Sequence, residues 1–295
     1  MKCFISNIKS DNELTSDVKL LIPDATMRRR MSDILKRSVA TAVECIGGVD
    51  NISALDAIIT STCLGLLSDS EKFLKNIVEN EENLINPTPF IQSTFNTVGA
   101  QIALLKNNHC YNVTYVNRFH AFEDALADAL FKLSDNKCNN TLIGHYDEVT
   151  PTLTNISHRL NIKNQSMVRA GAFFFQCKAE RSADSIAVLE FDIIPNNDSE
   201  EYRRRLLFNN LYKTYGVTPD NTIVAVNSQE RSDSFFPASA ASLFDAVKSV
   251  KLNRCNMILI NEYQDNCTFI MSVKNVYYRH YRLYIGLVIL GMGFC

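Results

Sequence analysis

A chain of 295 residues, 46% hydrophobic and 21% charged, has the balance of a soluble protein that buries one sizeable core or two smaller ones, so disorder is not its default. A formal charge of −2 gives no electrostatic reason to bind nucleic acid, because phosphate binding needs clustered, uncompensated Lys and Arg. Nine cysteines (Cys3, Cys45, Cys63, Cys110, Cys138, Cys177, Cys255, Cys267, Cys295) are scattered without paired metal-ligand spacing and read as reduced thiols, not as a secreted disulfide framework.

The opening Met1-Lys-Cys-Phe-Ile-Ser-Asn7 lacks an apolar stretch long enough for a signal-peptide core, and a cytoplasmic protein is expected. The first helix is expected from Ser32 to Ile46, with Ile34, Leu35, Val39, Val43 and Ile46 on one face and Gly47-Gly48 ending it. Ala57 to Thr62 reads as a short strand, and Ser68-x-x-Glu71 reads as a capping box opening a second helix. After the breaker Asn86-Pro-Thr-Pro89, helical spacing runs from Phe90 to Leu105. Val113 to Val116 reads as a buried strand, Phe122 to Leu133 as a helix, and Thr141 to Gly144 as another strand. Two β-rich segments follow, Ala172 to Gln176 and Ile186 to Ile194.

Pro195-Asn-Asn-Asp-Ser199 marks the expected boundary between an N-terminal half, 1–195, and a shorter C-terminal half, 196–275. The second half carries a helix from Glu200 to Tyr215, a strand from Ile223 to Val226, a helix from Ala240 to Val250, and strands at Met257 to Ile260 and Thr268 to Val273. A terminal tail, 276–295, ends in an apolar run from Leu283 to Phe294. That run is shorter than the roughly 20 residues a spanning helix needs, so burial or an interfacial membrane contact is expected.

Five segments in this order resemble β-ketoacyl synthases of the thiolase superfamily, especially the short chain-length-factor-type proteins of aryl-polyene and flexirubin-type pathways. They are Arg28 to Lys36, Asn86 to Ala100, Val113 to Ala129, Leu142-Ile-Gly-His-Tyr-Asp-Glu-Val-Thr-Pro151, and Tyr215 to Asn227. The resemblance implies an α/β fold in which two similar halves stack as a five-layered αβαβα core. It places the family's cysteine nucleophile at the turn Val116-Asn-Arg-Phe-His-Ala121, where this chain has Phe119. A helix N-terminus there supplies dipole and N–H groups that favour thiolate and oxyanion. The first family histidine falls at Gln229. The second should precede the helix at Ala240, where Phe236-Pro-Ala-Ser-Ala-Ala241 has none, and Asn261 begins the segment that replaces the late glycine-rich loop.

The resemblance therefore implies a non-catalytic subunit that pairs with a catalytic ketosynthase, or with itself, and meets an acyl carrier protein. Phe119, His120 and Asn261 are candidate acyl-tunnel linings, and no cofactor or metal is expected. The rival reading is a divergent acyltransferase using His120 or a recruited cysteine such as Cys63 or Cys177; a third is a homodimeric acyl-binding relic. Glu123 and Asp124 read as helix-dipole partners, Asp147 and Glu148 as a structural turn, and Arg28 to Arg30 and Arg203 to Arg205 as solvated runs or carrier-protein contacts.

Overall fold

The computed structural model describes residues 1–83, 85–117, 120–160, 170–195, 211–229, 238–263 and 267–276. The N-terminal elements are strand β1 (Lys2–Ser10), helices α1 (Val18–Leu21), α2 (Ala25–Arg30) and α3 (Asp33–Cys45), then β2 (Ala57–Thr62) and α4 (Leu67–Glu79). Next come α5 (Pro87–Ser93), α6 (Thr97–Leu104), β3 (Tyr111–Val116), α7 (Ala121–Ser134), β4 (Asn140–Asp147), α8 (Pro151–Arg159) and β5 (Gly171–Lys178). The remainder is β6 (Ala187–Pro195), β7 (Thr222–Gln229), α9 (Ala238–Asn253), β8 (Asn256–Tyr263) and β9 (Cys267–Asn275).

All nine strands join in the order β3-β2-β4-β5-β1-β6-β9-β8-β7. β2 runs parallel to both β3 and β4, and β5 runs antiparallel to β4 and β1. The same arrangement recurs in reverse across the β1–β6 junction: β9 runs antiparallel to β6 and β8, and β8 runs parallel to β7. β6, β9, β8 and β7 thus repeat β1, β5, β4 and β2. A counterpart of β3 is absent among the described residues. The strand pairing groups β6 with β9, although its sequence position lies just before the expected boundary at Pro195.

Strand alternation sends successive side chains to opposite faces, and this divides the core. Ala57, Ile59, Ile143, Phe173 and Phe175 face one way, onto Phe122, Leu126 and Leu130 of α7 and Leu243, Phe244 and Val247 of α9. Leu189, Phe191, Met271 and Val273 of the second half close on the same helices. Ile58, Leu142, Tyr146 and Phe174 face the other way, onto Leu35, Val39 and Val43 of α3 and Val98 and Ile102 of α6. Leu211 and Tyr215 cover Val224, Ile258 and Ile260 on the far face of the second half. The order is helix, sheet, helix, sheet, helix, as the thiolase-like fold requires.

Several local expectations change. β1 carries Lys2, Ser6, Asn7 and Lys9, and a bulge between Ile5 and Asn7 breaks its alternation, so its sequence does not read as a strand although it is the central one. The run from Phe90 to Leu105 splits at Thr94–Asn96, because the Thr94 and Thr97 hydroxyls both donate to the Ile91 carbonyl, at 3.1 and 3.0 Å, and the Tyr146 hydroxyl donates to Phe95 O. Ser68 lies inside α4, whose N-cap is Leu66. Its backbone N–H donates to Glu148 Oε2 at 2.8 Å, and Glu71 instead accepts from Thr150 Oγ1. β3 is an edge strand with Tyr111 and Val116 exposed, not a buried one.

Gly144 of β4 shows how tightly the outer face is packed. A Cβ built there would stand 2.1 Å from Phe174 Cε1, inside any real contact distance, and Phe174 is fully buried. Gly144→Ala is expected to destabilise the protein by about 1–3 kcal/mol through overpacking, read as a lower urea midpoint at unchanged slope.

Candidate functional site

The carboxyl ends of the parallel strands β2, β3 and β4 point to the N-terminus of α7, and β8 ends beside the N-terminus of α9. In open α/β sheets such strand ends are where ligands bind. Three polar groups converge on this region.

The first joins the two halves. Glu123, in the first turn of α7, is buried at 1% exposure. Its Oε1 accepts from Ser239 Oγ of α9 at 2.5 Å and from Asn261 Nδ2 of β8 at 2.9 Å, and Asn261 Nδ2 lies 3.2 Å from Ser239 Oγ. The sequence presents Glu123 as a dipole partner, but its side chain is a bridge between halves. Asn261, marked as a candidate lining residue, is one of its partners. The sequence offers only a weak signal for Ser239, a hydroxyl in the first turn of a helix that opens with small residues.

The second is His120, the N-cap residue of α7. Its Nδ1 lies 2.8 Å from Asp124 Oδ2, its Nε2 lies 3.2 Å from Asn117 Nδ2, and its ring centroid is 5.6 Å from that of Phe269. The hydrogen bond to Asp124 raises the imidazole pKa against the opposing effect of burial, and the charges of Asp124 and Glu123 raise it further. Protonated His120 is favoured in the folded state. Its contribution to stability is therefore full below the unfolded value of about 6.5 and is lost as pH rises through the higher folded value. Urea titrations against His120→Asn should show a stability gap that closes with rising pH, and a gap that widens would contradict the pairing.

The third is the group Ser61, Cys63, His145 and Asp147. Asp147 Oδ1 accepts from Thr62 Oγ1 at 2.8 Å, Cys63 N at 3.0 Å and Leu64 N at 2.7 Å, which ties the turn after β2 to the end of β4. Ser61 Oγ lies 2.9 Å from His145 Nδ1, and His145 Nε2 lies 2.9 Å from Asp147 Oδ2. Burial pushes the Cys63 thiol well up, and the carboxylates of Asp147 and Glu123 push it the same way, so the thiol is protonated at neutral pH. His145 lies edge-on to Phe122 of α7 at 6.1 Å between ring centroids.

Of the other expected positions, Phe119 and Arg203 to Arg205 lie outside the described residues, as does the tail 277–295, and Gln229 ends β7 without a described side chain. Cys177 is buried in β5 beside Cys3, not at a helix N-terminus. Arg28 is engaged locally, donating to the carbonyls of Ile22 and Pro23, and Arg29 donates to that of Ala25. No helix among the described residues is long and apolar enough to cross a membrane.

Residues 7–176, more than half the chain, match the family described as β-ketoacyl synthase, N-terminal domain. The chain belongs to the β-ketoacyl synthase family. No curated protein matches its sequence. Among solved structures it is similar to a type II polyketide synthase acyl-carrier protein in complex with its ketosynthase bound to a hexaketide, with a TM-score of 0.70, 11% identity and coverage of 93% of this chain and 99% of that one. It is also similar to the ishigamide ketosynthase/chain length factor, with a TM-score of 0.64, 12% identity and coverage of 88% and 85%. A third is a ketosynthase in complex with its chain length factor from Xenorhabdus doucetiae, with a TM-score of 0.57, 13% identity and coverage of 92% and 99%. At these identities the similarity establishes the thiolase-like fold of a ketosynthase.

Proposed function

We propose that this ketosynthase-family chain is a non-catalytic, chain-length-factor-type subunit that works with a catalytic ketosynthase in the synthesis of acyl chains on a carrier protein. The observation that carries this reading is that residues 196–276 contain no histidine, whereas both family histidines come from the C-terminal half. Those histidines stabilise the anion formed when the extender unit decarboxylates, a task that needs preorganised donors at the reacting oxygen. Here Ser239 and Asn261 both donate to Glu123. The elbow between β3 and α7 holds no cysteine.

Two features support a partner subunit. Among the described residues the outer edge of β3 has no neighbouring strand, and Tyr111, Val116 and Phe131 expose apolar surface, which single soluble chains normally protect. The resemblance to the family also implies pairing through this strand. Phe119, at the nucleophile's sequence position, is proposed as the side chain that closes the acyl tunnel.

Co-expression with candidate ketosynthases and carrier proteins tests this. Size-exclusion chromatography with light scattering should give a heterodimer, and intact mass should place the acyl thioester on the partner alone. An acyl adduct on this chain would overturn the proposal. The second reading, a recruited nucleophile, has one observation in its favour, the proximity of Cys63 to His145 and Asp147; the same experiment with Cys63→Ser separates the two.

A further inference from the structure

We infer that Cys63, His145 and Asp147 form a binding site for a thiophilic divalent cation of the zinc class. Their donor atoms all lie within 4.8 Å of one another, and the three residues are 9%, 1% and 0% exposed. His145 and Asp147 are two apart on β4 and share a strand face, while Cys63 follows the last residue of the parallel neighbour β2. Sulfur, imidazole nitrogen and carboxylate oxygen together are the donor set that zinc(II) takes in proteins, and one that magnesium or calcium does not favour.

A second observation points the same way. His145 Nε2 is buried without a hydrogen-bond partner, although Asp147 Oδ2 lies 2.9 Å from it, so the two atoms are close but poorly aligned for an N–H donor. The opposite ring nitrogen is engaged: Ser61 Oγ lies 2.9 Å from Nδ1 and 3.1 Å from the Gly144 carbonyl it donates to. With the Ser61 proton directed to Gly144, Nδ1–H donates to Ser61 and the Nε2 lone pair faces Asp147. In that tautomer Nε2 and Oδ2 face each other as two acceptors, an arrangement that a proton or a bound cation relieves. The arrangement matches metal-ligating histidines, whose other ring nitrogen donates to an outer partner that fixes the tautomer.

Asp147 is oriented in the same way. Its Oδ1 is held by Thr62 and by the Leu64 and Cys63 amides, Oδ2 takes a longer contact of 3.2 Å from Cys63 N and lies 2.9 Å from His145 Nε2, and the Cys63 thiol also bonds the carboxylate. A cation bound here would also reverse the electrostatics at Cys63, because a coordinating thiol is deprotonated outright. The site would supply three of the four donors that zinc(II) takes and join the ends of β2 and β4 beneath α7. It stands independently of whether the chain pairs with a ketosynthase.

The test uses the full chain, purified without an affinity histidine tag and without added metal. Elemental analysis should find zinc at one equivalent per chain. Prolonged chelation should lower the melting temperature, and zinc(II) alone should restore it. Cobalt(II) added to the chelated protein should give a thiolate-to-cobalt charge-transfer band that is absent in Cys63→Ser and His145→Gln and retained in Cys177→Ser. Should either site variant fold poorly, the wild-type cobalt spectrum still reports whether a thiolate is bound. Absence of that band in the wild-type chain, or equal zinc content in folded Cys63→Ser, overturns the inference.

Discussion

Asp147→Ala is expected to cost about 3–5 kcal/mol of stability, the magnitude seen when one partner of a buried charged network is removed. The carboxylate is fully buried and accepts from one hydroxyl and two backbone amides of the β2–α4 turn. Alanine would leave all three donors without partner or water, and each such group costs about 1–3 kcal/mol. Asp147→Asn keeps the oxygen that receives all three bonds and can turn its N–H2 toward His145 Nε2, so it should recover more than half of the loss. Equilibrium urea unfolding measures both. A loss below about 1 kcal/mol for alanine, the scale of an ordinary surface change, would mean that the turn relaxes to water and that Asp147 does not hold it.

Glu123→Ala should act on a different property, the attachment of the two halves. Glu123 accepts from Ser239 and Asn261, 116 and 138 residues away in sequence, and its removal takes an acceptor from two buried polar groups at an expected cost of about 2–5 kcal/mol. Because the three residues tie α7 to α9 and β8, the variant should unfold with a smaller denaturant slope or with separated transitions, since probes in the two halves need no longer report together. Glu123→Gln, which preserves the oxygen that receives both bonds, should stay cooperative. Coincident transitions with an unchanged slope in Glu123→Ala would show that the apolar contacts of Phe122, Leu126, Phe244 and Val247 suffice to join the halves.

What the sequence made legible follows from how local each signal is. α3 and β2 were readable because Leu35, Val39 and Val43 keep helical spacing and Ala57 to Thr62 is rich in β-branched residues. β1 was not, because a strand paired on both sides owes its place to β5 and β6, more than 160 residues downstream, and not to its own composition. That residues 196–276 hold no histidine is legible outright, since it needs only a reading of residue types. The cluster at Cys63 was not, because 82 residues separate it from His145 and only the parallel register of β2 with β4 brings them together. Extending β4 by three residues would have put His145 and Asp147 on one face.

The position of β1 also bears on how the chain comes to be folded. Its hydrogen-bonding edges are filled by β5 and β6, which end at Lys178 and Pro195. Once synthesised, β1 therefore waits, at about 5–20 residues per second, until β6 has followed before its pairing is complete. Loop closure over that separation must precede the contacts that reward it, which makes assembly slow and leaves an unpaired strand open to other chains in the interval. Nascent chains arrested shortly before β6 should accordingly remain sensitive to protease, and those arrested well past it should gain protection in a single step.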